Sequence, residues 1–283
     1  MEIFQNKKCF ITGAASGIGR ATAVAAGQRG ARLFLTDING DLLQETEDLV
    51  KAAGGQVAFS RALDIADYSA VAEMAGTIHE AHGTMDIIMN IAGIAVLGEI
   101  DRLAHRHWAQ AINVDLWGPV HTIICFLSEM VRAGRGGHLV NVASAAGLVG
   151  FPWHAPYSAA KFGLVGISEV LRYDLIKHGI HVTLVCPGAV ETPLKQTVEI
   201  VGMDRTRPEV RKLEAMFSKR AVSPERVAEQ ILKAVRRNDF LVFTSRDIRL
   251  LYWLKRKHHW AYDFLMKQAQ KLFTTRLPGQ NRE

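Results

Sequence analysis

The sequence predicts a doubly wound parallel α/β sheet in a single domain, followed by a basic helical extension at the C-terminus. Short apolar or β-branched runs alternate with longer helical patterns over residues 1–245. That alternation implies right-handed crossovers and a parallel sheet with helices on both faces. The short runs are continuously apolar, as expected of strands that are buried on both sides.

Seven strands and six helices are predicted along this part of the chain. We expect strands at residues 9–11, 32–35, 56–60, 85–89, 138–142, 181–185 and 241–244. We expect helices at residues 17–29, 41–53, 68–82, 105–132 and 157–177, and a sixth that begins near Ser223. Gly30 and Gly54 follow helical patterns and indicate helix ends, whereas Ser223 followed by Pro224 is typical of a helix start.

The segment 188–222 interrupts this rhythm. It mixes charged residues with Pro193, Gly202 and Pro208 and shows little periodicity. We predict that it forms a mobile lid over the substrate, with short helices. No linker or internal repeat is recognisable, so residues 1–245 are expected to form one catalytic domain.

The positive charge of the chain is confined to its C-terminal tail. Residues 1–245 contain 25 Lys and Arg and 25 Asp and Glu, whereas residues 246–283 contain 9 and 3. The whole formal excess of +6 therefore lies in the tail, and only the tail is expected to seek an anionic surface. No nucleic-acid-binding module is recognisable elsewhere, so we expect no nucleic acid partner.

The cysteines and the N-terminus indicate the cellular compartment in which the protein is expected. Cys9, Cys125 and Cys186 are odd in number and widely spaced, which argues against a disulfide framework and against a zinc site. We therefore predict no metal and a reducing, cytoplasmic location. The N-terminus carries an early acid and no long apolar stretch, unlike a signal peptide. No run of 18 apolar residues occurs, so no membrane-spanning helix is expected.

A glycine-rich turn follows the first strand and opens the first helix. Gly13 permits a tight turn, Gly17 lets the backbone approach a diphosphate, and Gly19 lets the helix pack on the sheet. The helix N-terminus at Ser16 to Ile18 offers unpaired N–H groups to the phosphates. This context indicates a Rossmann-type dinucleotide site, although a glycine-rich turn without a ligand has the same pattern. No Gly-Lys-Ser/Thr follows, which disfavours a nucleoside-triphosphate loop.

Asp37 stands at the end of the second strand, 18 residues after Gly19. A carboxylate there can accept hydrogen bonds from both adenosine ribose hydroxyls and would repel a 2′-phosphate. Neighbouring Ile38 offers no cation for that phosphate. Asp37 therefore favours NAD over NADP. The alternative is an aspartate that caps the turn near Asn39.

Tyr157 and Lys161 lie four residues apart at the start of a predicted helix and share one of its faces. A phenol with an ordinary pKa of about 10 is a poor base at neutral pH. An adjacent ammonium favours the phenolate and lowers that pKa. Such a phenol can give or take the proton of a carbinol.

Two further polar residues suit the same chemistry. Ser144 ends the fifth strand, 13 residues before Tyr157, at the edge of the sheet where ligands bind. Its hydroxyl can bind the substrate oxygen. Asn113 lies inside the long central helix, where Asn is a mediocre helix former. A polar side chain there predicts a role such as holding a water that bridges to Lys161.

The sequence resembles the short-chain dehydrogenase/reductase family over about residues 5–245. The matching motifs, in the family's order, are Thr12–Gly19, Asp64, Asn90-Ile91-Ala92-Gly93, Asn113, Ser144, Tyr157 with Lys161, and Pro187-Gly188-Ala189-Val190-Glu191-Thr192. One departure is Ile91, where the family often has Asn. We expect this change to affect sheet packing rather than chemistry.

The resemblance implies roles for these residues. Tyr157 would be the acid/base, Lys161 would bind the nicotinamide ribose, Ser144 would orient the substrate, and Asn113 would hold a relay water. Further cofactor contacts are implied for Asp64, Ile65, Asn90, Gly93, Pro187, Gly188, Val190 and Thr192. The family also implies a homodimer or homotetramer, which many relatives build by pairing the helices predicted at 105–132 and 157–177.

The loop at residues 145–153, between Ser144 and Tyr157, consists almost entirely of small or apolar residues. If it lines the site, the substrate is apolar around its reacting carbon, as in steroids, retinoids, acyl chains or terpenoids. Phe151 and Trp153 fit subunit contacts or the core equally well. His154, three residues before Tyr157, is expected to be a surface residue, with contact to the substrate as the alternative.

The tail combines aromatic and basic residues with an apolar stripe. The stripe lies on one face of a continuous helix and comprises Leu251, Leu254, Ala261, Leu265 and Leu272. One interpretation is a helix that docks on its own domain or on a sister subunit. The other is an interfacial helix in peripheral contact with a membrane.

These observations predict an oxidoreductase that transfers a hydride between NAD and an apolar secondary alcohol or ketone. One alternative is an NADPH-dependent carbonyl or 3-oxoacyl reductase on the same fold, against which Asp37 argues. The other, from a different class, is a dinucleotide-binding scaffold without turnover. The presence of Ser144, Tyr157 and Lys161 argues against the scaffold.

Overall fold

A seven-stranded parallel sheet forms the centre of the protein in the computed structural model, which describes residues 3–194, 198–202 and 221–276, without the side chains of 272–276. The strands are β1 Lys8–Thr12, β2 Arg32–Asp37, β3 Gln56–Ala62, β4 Ile87–Asn90, β6 Gly137–Val142, β7 Ile180–Cys186 and β9 Leu241–Phe243. Their order in the sheet is β3-β2-β1-β4-β6-β7-β9, and every neighbouring pair is parallel. The predicted doubly wound sheet is confirmed.

Eight helices accompany the sheet within the described residues. They are α1 Gly17–Gly27, α2 Gly40–Ala52, α3 Tyr68–His82, α4 His105–Ala133, α5 Ala155–Asp174, α6 Pro224–Arg237, α7 Arg246–Lys257 and α8 His259–Arg276. The sheet separates two apolar clusters, because alternate residues of β1 enter different clusters: Cys9 and Ile11 pack with α1 and α6, and Phe10 packs with α3 and α4.

The long helix α4 contains two stretches of π-helix, Asn113–Trp117 and Ile123–Leu127. By length and composition it is apolar enough to cross a membrane, and it is the one such helix among the described residues. Phe126 and Met130 nevertheless lie in the core beneath the sheet. Packing inside the domain therefore accounts for part of its apolar composition.

A second, two-stranded sheet was not expected from the sequence. It pairs β5 (Val96–Leu97) with β8 (Glu199–Ile200) in parallel. Strand β8 lies within the predicted lid at 188–222, of which residues 195–197 and 203–220 lie outside the described part of the chain. The mobility of that lid stays a prediction.

The tail forms two helices rather than the continuous helix that the apolar stripe required. His258 separates α7 from α8 and has φ −135° and ψ 68°, outside the helical region. Leu251 and Ala261 are half-buried, whereas Leu265 is exposed. The prediction of a single apolar face from residue 251 to residue 272 was therefore wrong, because the break at His258 rotates α8 relative to α7.

Candidate active site

The glycine-rich turn between β1 and α1 has the geometry that a diphosphate requires. Gly13 and Gly17 have φ of +69° and +50°, in the left-handed region that favours glycine. A Cβ at Gly19 would lie 1.9 Å from the Gly13 carbonyl oxygen, so only glycine lets α1 start this close to the turn.

The N-terminus of α1 is left open toward this turn. Ser16 is extended and makes no capping hydrogen bond through its side chain, and the N–H groups of a first helical turn have no partners within the helix. The side chain of Ile18 packs partly against the core, and its backbone lies in the first turn of α1. Thr192 lies over the turn, since a Cβ at Gly17 would be 2.8 Å from its methyl group. These residues fit a dinucleotide diphosphate.

Asp37 ends β2 beside the same turn. Its carboxylate accepts hydrogen bonds from the N–H of Ala15 and from the N–H of Asn39, both at 3.0 Å. Asp37 therefore caps the turn near Asn39, as the alternative interpretation expected. It also stands at the strand end from which a carboxylate can reach the ribose of a dinucleotide. The two interpretations are compatible in this geometry.

Thr12 organises the loop after β4, a role that the sequence did not reveal. Its hydroxyl oxygen accepts hydrogen bonds from the N–H groups of Ile91 and Ala92, at 3.0 and 3.1 Å. A Cβ at Gly13 would lie 2.7 Å from the backbone of Ala92. The loop 90–93 is thus held directly against the glycine-rich turn.

Asn90 faces the interior, in a buried polar network that sequence reasoning missed. Its amide donates to the Asn141 side-chain oxygen at 2.9 Å and its oxygen accepts from the Thr122 hydroxyl. Asn141 in turn donates to Ser168 at 2.9 Å. The network joins β4, β6, α4 and α5. The Asn90 side chain therefore stabilises the packing beneath the site, and its backbone begins the loop 90–93.

The remaining residues of the predicted cofactor site lie at the carboxyl edge of the sheet. Asp64 is exposed after β3 and accepts from the Ala66 N–H, whereas the side chain of Ile65 is buried against Gly118. After β7, the Pro187 carbonyl accepts from Ala145 at 2.7 Å. The N–H of Gly188 donates to the Thr244 hydroxyl, and Val190 forms a bridge with Val222.

Tyr157, Ser144 and Lys161 converge at this edge, as the sequence predicted. Ser144 follows β6 and makes a hydrogen bond with the Tyr157 hydroxyl. The Lys161 ammonium lies 5.8 Å from the centre of the Tyr157 ring and donates to the Val142 carbonyl at 3.3 Å. The phenol and the serine hydroxyl are close enough to bind one substrate oxygen together.

Asp115, rather than Asn113, contacts the lysine. The Asn113 side chain is exposed at the start of the first π-helical stretch, while Asp115 is fully buried and its Oδ1 lies 3.1 Å from the Lys161 Nζ. The water expected between Asn113 and Lys161 stays a prediction, and the side chain of α4 that meets Lys161 directly is that of Asp115. Two positions along a helix point in nearly opposite directions, about 200° apart. The sequence signal for Asp115 was an acid inside an apolar helix.

Gly93 makes the close approach of these charges possible. A Cβ there would be 2.6 Å from Asp115 Oδ1 and 3.2 Å from the Lys161 Nζ. The backbone N–H of the next residue, Ile94, donates to the same carboxylate oxygen at 3.1 Å. The loop 90–93 therefore borders both the glycine-rich turn and the buried ion pair.

The local charges set the protonation states. Desolvation lowers the pKa of Lys161, but the Asp115 carboxylate and Tyr157 outweigh it, and the net shift is upward. Desolvation raises the pKa of Tyr157; Asp115 adds to the rise, and Lys161 and the hydrogen bond with Ser144 oppose it. The expected lowering of the Tyr157 pKa by Lys161 is present, but burial is the larger effect. Burial also raises the pKa of the Cys186 thiol to about 12.

The loop 145–153 is held from outside by the tail. Lys255 donates to the Leu148 carbonyl at 2.7 Å, and Tyr262 makes two hydrogen bonds with Gly150. His154 is half-buried, 6.4 Å from the Tyr157 ring between ring centres, and desolvation lowers its pKa. The expectation of a surface histidine was wrong, because the loop folds it back toward the site.

Comparison with known proteins agrees with this geometry. The sequence profile of the family described as short chain dehydrogenase matches residues 7–200. The putative oxidoreductase SadH of Mycobacterium tuberculosis is 34% identical over 261 residues, which cover 90% of this chain and 92% of that protein.

Solved structures show the same fold. A short chain dehydrogenase/reductase from Burkholderia phymatum, in complex with NAD, aligns with a TM-score of 0.80 and 27% identity over 91% of this chain and 95% of that one. A short chain dehydrogenase from Mycobacterium paratuberculosis, bound to NAD, aligns with a TM-score of 0.73 and 25% identity over 85% and 96% of the two chains.

Proposed function

This chain belongs to the short-chain dehydrogenase/reductase family of oxidoreductases, and we propose that it transfers a hydride between NAD and an apolar secondary alcohol or ketone. The observation that carries the proposal is the convergence of Ser144, Tyr157 and Lys161 at the sheet edge that also holds the glycine-rich turn. Hydride transfer requires that the catalytic groups and the dinucleotide-binding turn lie at the same edge of the sheet.

The residues of the site divide the work of the reaction. When bound, NAD supplies the hydride acceptor or donor. Ser144 holds the substrate oxygen, and Tyr157 exchanges a proton with that oxygen through its hydroxyl. Lys161 places a positive charge beside the phenol and favours its ionised form. Lys161 is buried and Tyr157 is half-buried, so that solvent screens the interaction of their charges only in part.

Asp37 supports NAD rather than NADP in this proposal. Its carboxylate is fixed by the N–H groups of Ala15 and Asn39, so it cannot turn away from an incoming 2′-phosphate without losing both bonds. The exposed neighbour Ile38 carries no charge. A 2′-phosphate would therefore meet a fixed negative charge and no cation from Ile38.

The loop 145–153 supports an apolar substrate. Its first residues, Ala145 to Val149, are buried and uncharged, and they follow Ser144 directly. The rings of Phe151 and His154 contact each other in a tilted arrangement, 5.6 Å between ring centres, and His154 lies beside Tyr157. Such a wall binds aliphatic or polycyclic groups through burial of apolar surface.

We also propose a homodimer or homotetramer built on the outer faces of α4 and α5. Trp117 and Ile124 of α4 are exposed, and so are Val170 and Tyr173 of α5. Large exposed apolar side chains on two adjacent helices are typical of subunit contacts. Sedimentation velocity of the wild type would show a single monomeric species if the proposal were wrong.

The decisive experiment is a screen of NAD reduction over apolar secondary alcohols, with NADP in parallel. We expect NAD-dependent turnover that the Tyr157→Phe variant loses by about 100-fold or more, since general acid–base catalysis contributes about 10²–10⁴-fold. Faster turnover with NADP would favour the carbonyl or 3-oxoacyl reductase. An inert wild type that still binds NADH would favour the scaffold.

A further inference from the structure

The carboxylate of Asp115 is the one acid in contact with the Lys161 ammonium among the described residues. Oδ1 lies 3.1 Å from the Lys161 Nζ and also accepts from the Ile94 N–H. Asp115 is fully buried, and its Oδ2 is buried without a hydrogen-bond partner among the described protein atoms. Desolvation raises the pKa of Asp115, and the Lys161 ammonium and the Ile94 N–H oppose that rise by stabilising the carboxylate. An acid is thus built into the centre of the site at a desolvation cost that its contact with Lys161 offsets.

Few other titratable groups face these residues. Tyr157 and Lys161 of α5 interact with Asp115 of α4, and the Cys186 thiol at the end of β7 influences both residues of α5. His154 precedes α5, and its ring centre lies 6.4 Å from that of Tyr157. Burial lowers the pKa of His154 and raises that of Cys186 to about 12, so both are neutral at physiological pH.

We propose that Asp115 is a positioning residue that neutralises Lys161, keeps Tyr157 protonated and so adapts the site to donate a proton to a carbonyl. This inference rests on the proposed function and adds the protonation state of the acid/base near neutral pH: the free enzyme holds Tyr157 as the phenol, the form that donates a proton to a carbonyl.

The charge balance of the buried site gives the reason. If residue 115 were neutral, ionisation of Tyr157 beside Lys161 would produce a neutral pair. With the Asp115 carboxylate present, the same ionisation leaves a net charge of −1 in a buried environment. Burial of an unbalanced charge is costly, so the phenol keeps its proton. Desolvation is the largest cause of the upward shift of the Tyr157 pKa; Lys161 lowers that pKa, and Asp115 offsets part of this lowering by raising it.

The proton and electron pair balance for the reduction of a ketone. A bound reduced nicotinamide dinucleotide would supply the hydride to the carbonyl carbon, and the carbonyl oxygen takes the proton as the O–H bond of Tyr157 breaks. The resulting phenolate, now beside the Asp115–Lys161 pair, recovers its proton from solvent. In the opposite direction the phenol must first lose a proton, which the Asp115 carboxylate disfavours.

The test is the Asp115→Asn variant, which keeps an oxygen for the Ile94 N–H but removes the charge. In the free enzyme, the near-ultraviolet absorbance of tyrosinate is titrated, and the matching Tyr157→Phe background is subtracted. We expect Tyr157 to ionise at lower pH in Asp115→Asn than in the wild type. In kinetic assays the acid limb of alcohol oxidation should move to lower pH, with a several-fold gain at pH 7.

Two controls separate charge from folding. Asp115→Glu keeps the charge and should retain the wild-type titration. Asp174→Asn removes an exposed carboxylate on the same helix as Lys161, 13 residues away or about 20 Å along the axis, and should change nothing. Coincident Tyr157 titrations in the wild type and Asp115→Asn would overturn the inference. Because the titration needs no substrate, failure of the proposed activity would leave this result readable.

Discussion

The Tyr262 hydroxyl makes two hydrogen bonds with a single residue, Gly150. It accepts from the Gly150 N–H at 3.0 Å and donates to the Gly150 carbonyl at 3.1 Å. Tyr262 belongs to α8 and is only 7% exposed, whereas Gly150 lies in the loop between Ser144 and Tyr157. The C-terminal tail is therefore docked on its own domain, over the loop that we assign to the substrate.

Replacement of Tyr262 by Phe should loosen this loop. Two hydrogen bonds contribute about 1–3 kcal/mol together to the free energy of unfolding, and the Gly150 groups would lose their partner. We expect a decrease of that size in urea unfolding and a KM for substrate that rises more than kcat falls.

The matched control for this change is Tyr68→Phe. Tyr68 is exposed and lies on α3, away from the loop. It should leave both the unfolding free energy and KM unchanged. An unaltered KM in Tyr262→Phe would show that the tail does not shape the substrate site.

The outer surface of the tail is predicted to bind anionic membranes. Trp253 and Trp260 remain 48% and 77% exposed after docking, next to the basic residues Arg256 and Lys257. Trp and basic residues together are typical of interfacial helices. Each Trp→Ser change should weaken binding to vesicles that contain phosphatidylglycerol by about 10- to 150-fold, from the loss of roughly 1.5–3 kcal/mol of apolar burial.

Cosedimentation with vesicles measures this effect, and Ile100→Ser is the control. Ile100 is 69% exposed and lies outside the tail and outside the proposed subunit contact. If Ile100→Ser reduced vesicle binding as much as the tail variants do, the membrane surface would not be the tail. Loss of oligomers in the tail variants, without any vesicle binding by the wild type, would assign these residues to a subunit contact.

Asp37→Ser should reverse the cofactor preference. The variant loses the carboxylate that is expected to bind the ribose hydroxyls, and hydrogen bonds to charged groups are worth about 1.5–3 kcal/mol. Fluorescence titration should show NADH binding weakened by about tenfold or more and NADPH binding improved relative to NADH. Asp41→Ser, an exposed acid in the first turn of α2, is the control and should retain the wild-type ratio.

Acidification should destabilise the protein through His138. This residue is buried in β6, next to the Thr183 hydroxyl at 2.8 Å, and burial lowers its pKa to about 3. The unfolded chain binds the proton near pH 6.5, so the contribution to stability is complete above that pH. It is lost as pH falls from about 6.5 toward 3, by about 1.4 kcal/mol per pH unit.

Urea unfolding between pH 7 and pH 4.5 measures this loss. His138→Gln keeps a partner for Thr183 but cannot be protonated, so its stability should depend less steeply on pH than that of the wild type. His105→Gln removes an exposed histidine and should keep the wild-type slope. Parallel slopes in His138→Gln and the wild type would contradict the assignment.

The sequence by itself determined the order of strands and helices and the glycine-rich turn. These are local properties: an apolar run of four to six residues bounded by glycine is a buried strand in almost any parallel sheet. Tyr157 and Lys161 could also be paired from the sequence, because a spacing of four places two side chains on the same helix face. The convergence of Ser144 with them followed from the rule that parallel strands end at one edge.

The tertiary structure alone decided which residue of α4 meets Lys161 and where the tail lies. Asn113 and Asp115 are two positions apart, and the face that α4 turns toward α5 depends on its packing and on the π-helical stretch that begins at Asn113. The apolar stripe of the tail assumed a continuous helix, which the break at His258 removes. Periodicity describes one element in isolation, whereas the rotation of an element about its axis is set by the elements that it contacts.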